Sequence, residues 1–152
     1  MAVAIRRAWP DEPAARELIA ELDEHLGALY PAESRHGYSV EKLLREGVAF
    51  FVARYDGALA ACGGVQLVGA GYGEVKRMYV RPAFRGRGLA KLILVHLTAC
   101  ARAHGMPALR LETGVHQREA IGLYERMGFA PIGPFGPYRD DPLSRFYERR
   151  LD

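Results

Sequence analysis

The chain is poor in lysine, cysteine and tryptophan. Of 21 basic residues only Lys42, Lys76 and Lys91 are lysines, so nearly all the positive charge sits on arginine. Those arginines are scattered and often have acidic neighbours, as in Arg16-Glu17, Glu125-Arg126 and Arg139-Asp140, and the formal net charge is only +3. A nucleic-acid-binding face needs a basic stripe, so no nucleic-acid partner is expected and a local basic pocket is preferred. Cys62 and Cys100 lack Cys-x-x-Cys spacing and read as small apolar fillers in a reduced compartment, with no metal site. No apolar run approaches membrane-spanning length, and the N-terminal Met-Ala-Val-Ala-Ile-Arg-Arg has no basic segment followed by an apolar core. No membrane partner and a cytoplasmic location are therefore the default expectation. Internal repeats and low-complexity segments are also missing. What remains is ordinary for one globular domain over residues 1–152: 49% hydrophobic, 26% charged, and long enough to bury a core.

One stretch, residues 74–90, organises the rest. Val75, Tyr79 and Val80 mark a strand, and Arg81-Pro82 breaks it because proline has no N–H for the ladder. Arg85-Gly86-Arg87-Gly88 follows, and from Leu89 a helix is expected. Leu89, Leu92, Ile93, His96, Leu97, Cys100 and Ala103 are placed on its buried stripe. A strand, a basic glycine turn and a helix together make an anion site. The first N–H groups of a helix lack internal partners, and the dipole adds positive potential there. Glycines admit a phosphate to the backbone, and arginines add full charges.

Taken in order, residues 2–8 read as a strand, and a helix capped by Asp11 with Pro13 in its first turn runs to Tyr30-Pro31. Residues 31–39 form a polar loop, and Ser39 caps a short helix ended by Gly47. Asp56-Gly57 joins two strands of a hairpin, residues 48–55 and 58–68. Beyond the long helix come a strand at residues 109–113, a helix at 117–127, a strand from Phe129, a loop at 133–143 and a closing strand at 144–151. The order βααβββαβαββ is an α/β arrangement with a mixed, mostly antiparallel central sheet flanked by helices.

Arg85-x-x-Gly88-x-Ala90, preceded by Met78-Tyr79-Val80-x-Pro82, resembles the acyl-CoA phosphate signature of the GNAT superfamily of N-acetyltransferases. Leu123-Tyr124-x-x-x-Gly128-Phe129 resembles a second segment common in that family, and the element order is similar from end to end. One departure is Gln117, where many relatives carry asparagine. Neither competing phosphate motif is present: there is no Gly-x-x-x-x-Gly-Lys-Ser/Thr, and Gly86-x-Gly88 lacks a third glycine.

The resemblance implies an acetyl-CoA-dependent enzyme that moves an acetyl group to a primary amine of a small molecule or peptide by direct attack through a tetrahedral intermediate. It assigns the cofactor to Met78, Tyr79, Val80, Arg85, Gly86, Arg87, Gly88, Leu89, Ala90 and Gln117. Met78 and Val80 pair with the pantetheine arm as with an added strand, and an N–H near Met78 steadies the oxyanion. Tyr124 matches the family's general acid: a phenol with pKa near 10 is protonated at neutral pH and can pass its proton to a thiolate. Glu74, eleven residues before Arg85 (85 − 74 = 11), resembles the glutamate general base of histone-acetylating members. Glu112 and His116 are alternative bases. Lys76, Arg77 and Arg139 are candidates to meet an acceptor that carries a carboxylate, and Tyr138 is a candidate to line the acceptor mouth. Relatives are often homodimers, so a second copy is a candidate partner. The competing reading is a non-catalytic acyl-CoA sensor on the same fold.

Overall fold

Asp56 and Gly57 both take positive φ, 48° and 84°, the geometry of a two-residue hairpin turn. They join β2 (Ala49–Tyr55) to β3 (Ala58–Val68), and the computed structural model, described here for residues 2–151, builds outward from this pair. The remaining strands are β1 (Val3–Ala8), β4 (Tyr72–Val80), β5 (Ala108–Gly114), β6 (Ala130–Ile132) and β7 (Ser144–Arg150). All seven form one sheet in the order β1-β2-β3-β4-β5-β7-β6. Every pairing is antiparallel except β4 with β5. The helices are α1 (Pro13–Leu29), α2 (Val40–Arg45), α3 (Leu89–Ala103) and α4 (Arg118–Arg126), so the expected element order is the observed one.

α1 and α2 cover one face of the sheet, with Leu18, Ile19, Leu22 and Leu43 against Phe50, Val52, Cys62 and Tyr79. The other face packs beneath α3 and α4, around Ile93, Leu94, Leu97, Leu109, Leu111 and Tyr124. Two helix details differ from expectation. Glu12, not Asp11, is the N-cap of α1, and its carboxylate turns back to accept from the Trp9 N–H at 2.6 Å. The buried stripe of α3 is Leu89, Ile93, Leu94, Leu97, Thr98 and Ala101, which leaves Leu92, His96 and Ala103 on the solvent side. Thr98 tolerates burial because its hydroxyl donates to the Leu94 carbonyl at 2.7 Å within the helix.

Two irregularities in β4 make room for a site. Its pairing with β5 is confined to Gly73↔Leu109 and Glu74↔Arg110, so beyond Glu74 the two strands part and a wedge opens. On the opposite edge the register with β3 slips between Cys62 and Gly64, and Arg77 sits at φ 56°. This is a bulge whose extra residue takes the left-handed region that glycine usually fills. The Arg77 guanidinium holds it there, donating to the Ile19 carbonyl at 3.3 Å and pairing with Asp23, both on α1.

Candidate active site

At the head of α3, Gly88 is the N-cap at φ 77° and offers no side-chain cap. The first α-helical bond from this cap runs from Leu92 N–H to Gly88 carbonyl at 3.1 Å, so the N–H groups of residues 89–91 have no intrahelical acceptor. Gly86 also has positive φ, 78°, and a Cβ on either glycine would point into open space. The positive φ, rather than crowding, is what demands glycine at both places. Arg85 stands beside them, with its Nε donating to the Val80 carbonyl at 3.0 Å.

This turn opens on a groove of about 690 Å³ that runs between β4, the head of α3, and α4. Met78, Tyr79, Val80, Arg85, Gly86, Gly88, Leu89, Ala90 and Gln117 all line it, as does Tyr124. Arg87 does not. Its guanidinium lies 4.8 Å from the Tyr55 ring centre and 6.0 Å from that of Phe84, drawn by cation–π attraction toward the hairpin end. Gln117 closes the groove at the start of α4, where its side-chain carbonyl accepts from the Gly114 N–H at 3.1 Å.

Where β4 and β5 part, the groove meets a smaller cavity of about 80 Å³. Leu22, Met78, Gln117 and Tyr124 line both, so they mark the junction. The smaller cavity is walled by Tyr30, His36, Lys76, Arg77, Glu112 and Tyr138 among others. Tyr124 is buried, and no hydrogen bond to another described residue shifts its hydroxyl. Burial, with the Glu112 charge adding to it, pushes its pKa up, so the phenol holds its proton at neutral pH.

Glu74 lies behind that wall. It is 4% exposed and does not line either cavity, whereas the family resemblance implies a general base for the acceptor there. Its Oε2 takes the Lys76 ammonium at 2.7 Å and the Tyr138 hydroxyl, and Lys76 also donates to Tyr138 at 3.0 Å. Lys76 lies 3.9 Å from the Tyr38 ring centre. Burial lowers the Lys76 pKa, opposed by the Glu74 carboxylate. Tyr138, expected at the acceptor mouth, lines the cavity, as does Lys76, expected to meet an acceptor carboxylate. Arg77 also lines it, but with its guanidinium engaged by α1, and Arg139 is exposed outside both spaces. Of the alternative bases, Glu112 lines the small cavity. His116 lines the groove instead, stacked on Tyr30 with ring centres 5.4 Å apart. Ser34, Arg35 and His36 of the 31–39 polar loop also line the small cavity, where that loop is a candidate for acceptor recognition.

The family model for the acetyltransferase (GNAT) family matches residues 7–129. The chain belongs to the GNAT family. An IAA acetyltransferase of Azospirillum brasilense is 47% identical over 150 residues, covering 98% of each chain. A crystal structure described as a putative acyl-CoA N-acyltransferase from Klebsiella pneumoniae superposes with a TM-score of 0.84 at 35% identity, over 99% of this chain and 98% of that one. An N-acetyltransferase from Thermoplasma acidophilum, solved in complex with coenzyme A, has the same fold with a TM-score of 0.78 at 20% identity, over 99% of this chain and all of the other. This GNAT protein is thus an acetyltransferase, and GNAT acetyltransferases use acetyl-CoA. Its free helix N–H groups, open glycines and Arg85 fit a pyrophosphate. The edge of β4 beyond Glu74, unpaired toward β5, fits an extended arm. Among the described residues no helix is long and apolar enough to cross a membrane, and no cluster of metal-ligating side chains occurs.

Proposed function

We propose that this GNAT enzyme acetylates the primary amine of a small molecule, with the cofactor in the groove and the acceptor in the 80 Å³ cavity. The observation that carries this reading is the junction. Among the described residues the two spaces share Leu22, Met78, Gln117 and Tyr124 as lining. A cavity of that size, walled by the 31–39 loop and Tyr138, suits a compact amine better than a folded protein; the exposed amino terminus of a peptide is the larger alternative.

Bound acetyl-CoA supplies the acetyl group as a thioester. Arg85, Gly86 and residues 88–90 hold its pyrophosphate, while Met78 and Val80 provide main-chain partners and Gln117 closes the far wall. Tyr124 serves as general acid, because a buried phenol with a raised pKa keeps its proton until a strong base forms beside it. Glu74 positions Tyr138 and Lys76 through the bonds it makes to both. We assign residues 1–152 to a single acetyltransferase domain, because β7, beyond the family match, is inserted between β5 and β6 and completes the sheet.

The test is coenzyme A release from acetyl-CoA with a panel of small primary amines, amino acids and short peptides, with products identified by mass spectrometry. N-acetylated small amines are expected. Acetylation confined to hydroxyl acceptors, or to intact proteins, contradicts the proposal.

A further inference from the structure

The sheet alternates its side chains between faces, and this decides which carboxylate an acceptor meets. Leu109 and Leu111 of β5 join the core beneath α3, so Arg110 and Glu112 point to the opposite face. There the parting of β4 and β5 leaves Glu112 without a partner strand on its β4 side, while β7 pairs it on the other, and it lines the acceptor cavity. The Ser144 hydroxyl donates to Glu112 Oε2 at 2.8 Å and fixes the carboxylate's orientation. Oε1 has no hydrogen-bond partner among the described residues, yet it is not among the sealed polar atoms. It is therefore available to a ligand. Glu74 is the reverse case: its Oε2 already holds both a lysine and a tyrosine, and the residue lies outside the cavity.

We infer that Glu112, rather than Glu74, receives the acceptor's ammonium group through Oε1 and removes one of its protons. The step balances simply. An N–H bond of the ammonium breaks, its electron pair stays on nitrogen as the nucleophilic lone pair, and the proton forms an O–H bond on Glu112 for later release to solvent. Tyr124 lies on the same cavity, so base and acid face one reacting centre from opposite faces of the sheet. Burial raises the Glu112 pKa toward the range where a carboxylate accepts protons usefully, and Glu74 adds to the rise. Ser144, His36 and Lys76 oppose it, and the Tyr30 and Tyr124 phenols nearby are neutral at the working pH. The inferred substrate class is a small, ordinarily protonated primary amine. The assignment rests on the amine reading above.

The experiment compares wild type with Glu112→Gln on two acceptors of similar size: ethylamine, protonated at neutral pH, and 2,2,2-trifluoroethylamine, largely neutral there. Calorimetric coenzyme A affinity and melting temperature serve as readouts of the cofactor site and fold. Glu112→Gln is expected to keep the coenzyme A affinity, to melt no lower than wild type, to lose about 100-fold in kcat/KM on ethylamine at neutral pH, and to lose much less on the fluorinated amine. The acid limb of the wild-type pH profile should disappear with it. A wild type active on either amine, with Glu112→Gln unchanged or reduced equally on both, overturns the assignment and leaves the amine reading standing. A wild type that acetylates neither these nor any other primary amine overturns both.

Discussion

The Tyr138 hydroxyl donates to the Glu74 carboxylate and so ties the 133–143 loop to β4 across 64 residues of chain. Lys76 completes the triangle at 2.7 Å from Glu74 and 3.0 Å from Tyr138, and only 5% of the lysine is exposed. A buried lysine and glutamate are tolerable only while each keeps its partners, and the phenol is a shared one.

Tyr138→Phe should therefore destabilise the fold by about 1–3 kcal/mol, the usual penalty for leaving a buried polar group short of a partner. Because Tyr138 also walls the acceptor cavity, the acceptor KM should rise while coenzyme A affinity holds. Chemical denaturation and steady-state kinetics check the two halves separately.

Gly63 carries the bulge of β4 from the neighbouring strand. A Cβ there would sit 2.3 Å from the Met78 sulfur and 2.9 Å from Ile93 Cγ2. Gly63→Ala is expected to cost about 1–3 kcal/mol by overpacking, and to push Met78 into the junction. Thermal melting should show the first effect and weakened coenzyme A binding the second. A variant with normal melting and normal binding would mean that the β3–β4 contact yields more easily than this.

Glu112 makes a pH prediction with a definite sign. Its folded pKa is raised from 4.5 chiefly by burial. Below the ordinary value both folded and unfolded chains hold the proton, and burial costs nothing. As pH rises through the window up to the raised value, the unfolded chain ionises first, so this residue's contribution to stability is lost. Glu112→Gln should then melt higher than wild type at neutral pH, with the gain vanishing below pH 4.5. Melting curves at the two pH values test it.

The fold was open to sequence reasoning because its signals are local. Asp56-Gly57, Ser39 before α2 and Gly47 after it each have a short-range cause, and each is found in the expected conformation. The phosphate turn was legible for the same reason: glycines at positive φ next to a helix start. The α3 stripe rotated because a periodic pattern with apolar residues on several sides does not name its own face, and Thr98 hides its hydroxyl within the helix. What escaped was the partnership of side chains across strands. Glu74, Lys76 and Tyr138 come together through a loop 64 residues downstream. Arg77 is drawn to α1 by a bulge that no local spacing announces, and Arg87 turns to two aromatic rings on the hairpin side.

The central claim is that cofactor and acceptor spaces meet at Tyr124, and one comparison tests it most directly: coenzyme A affinity against turnover in Tyr124→Phe. Removing only the hydroxyl should leave calorimetric binding within a few-fold of wild type and lower kcat by about 100-fold. Unchanged kcat with unchanged binding would contradict the account, because the acid would then lie elsewhere on the cavity wall.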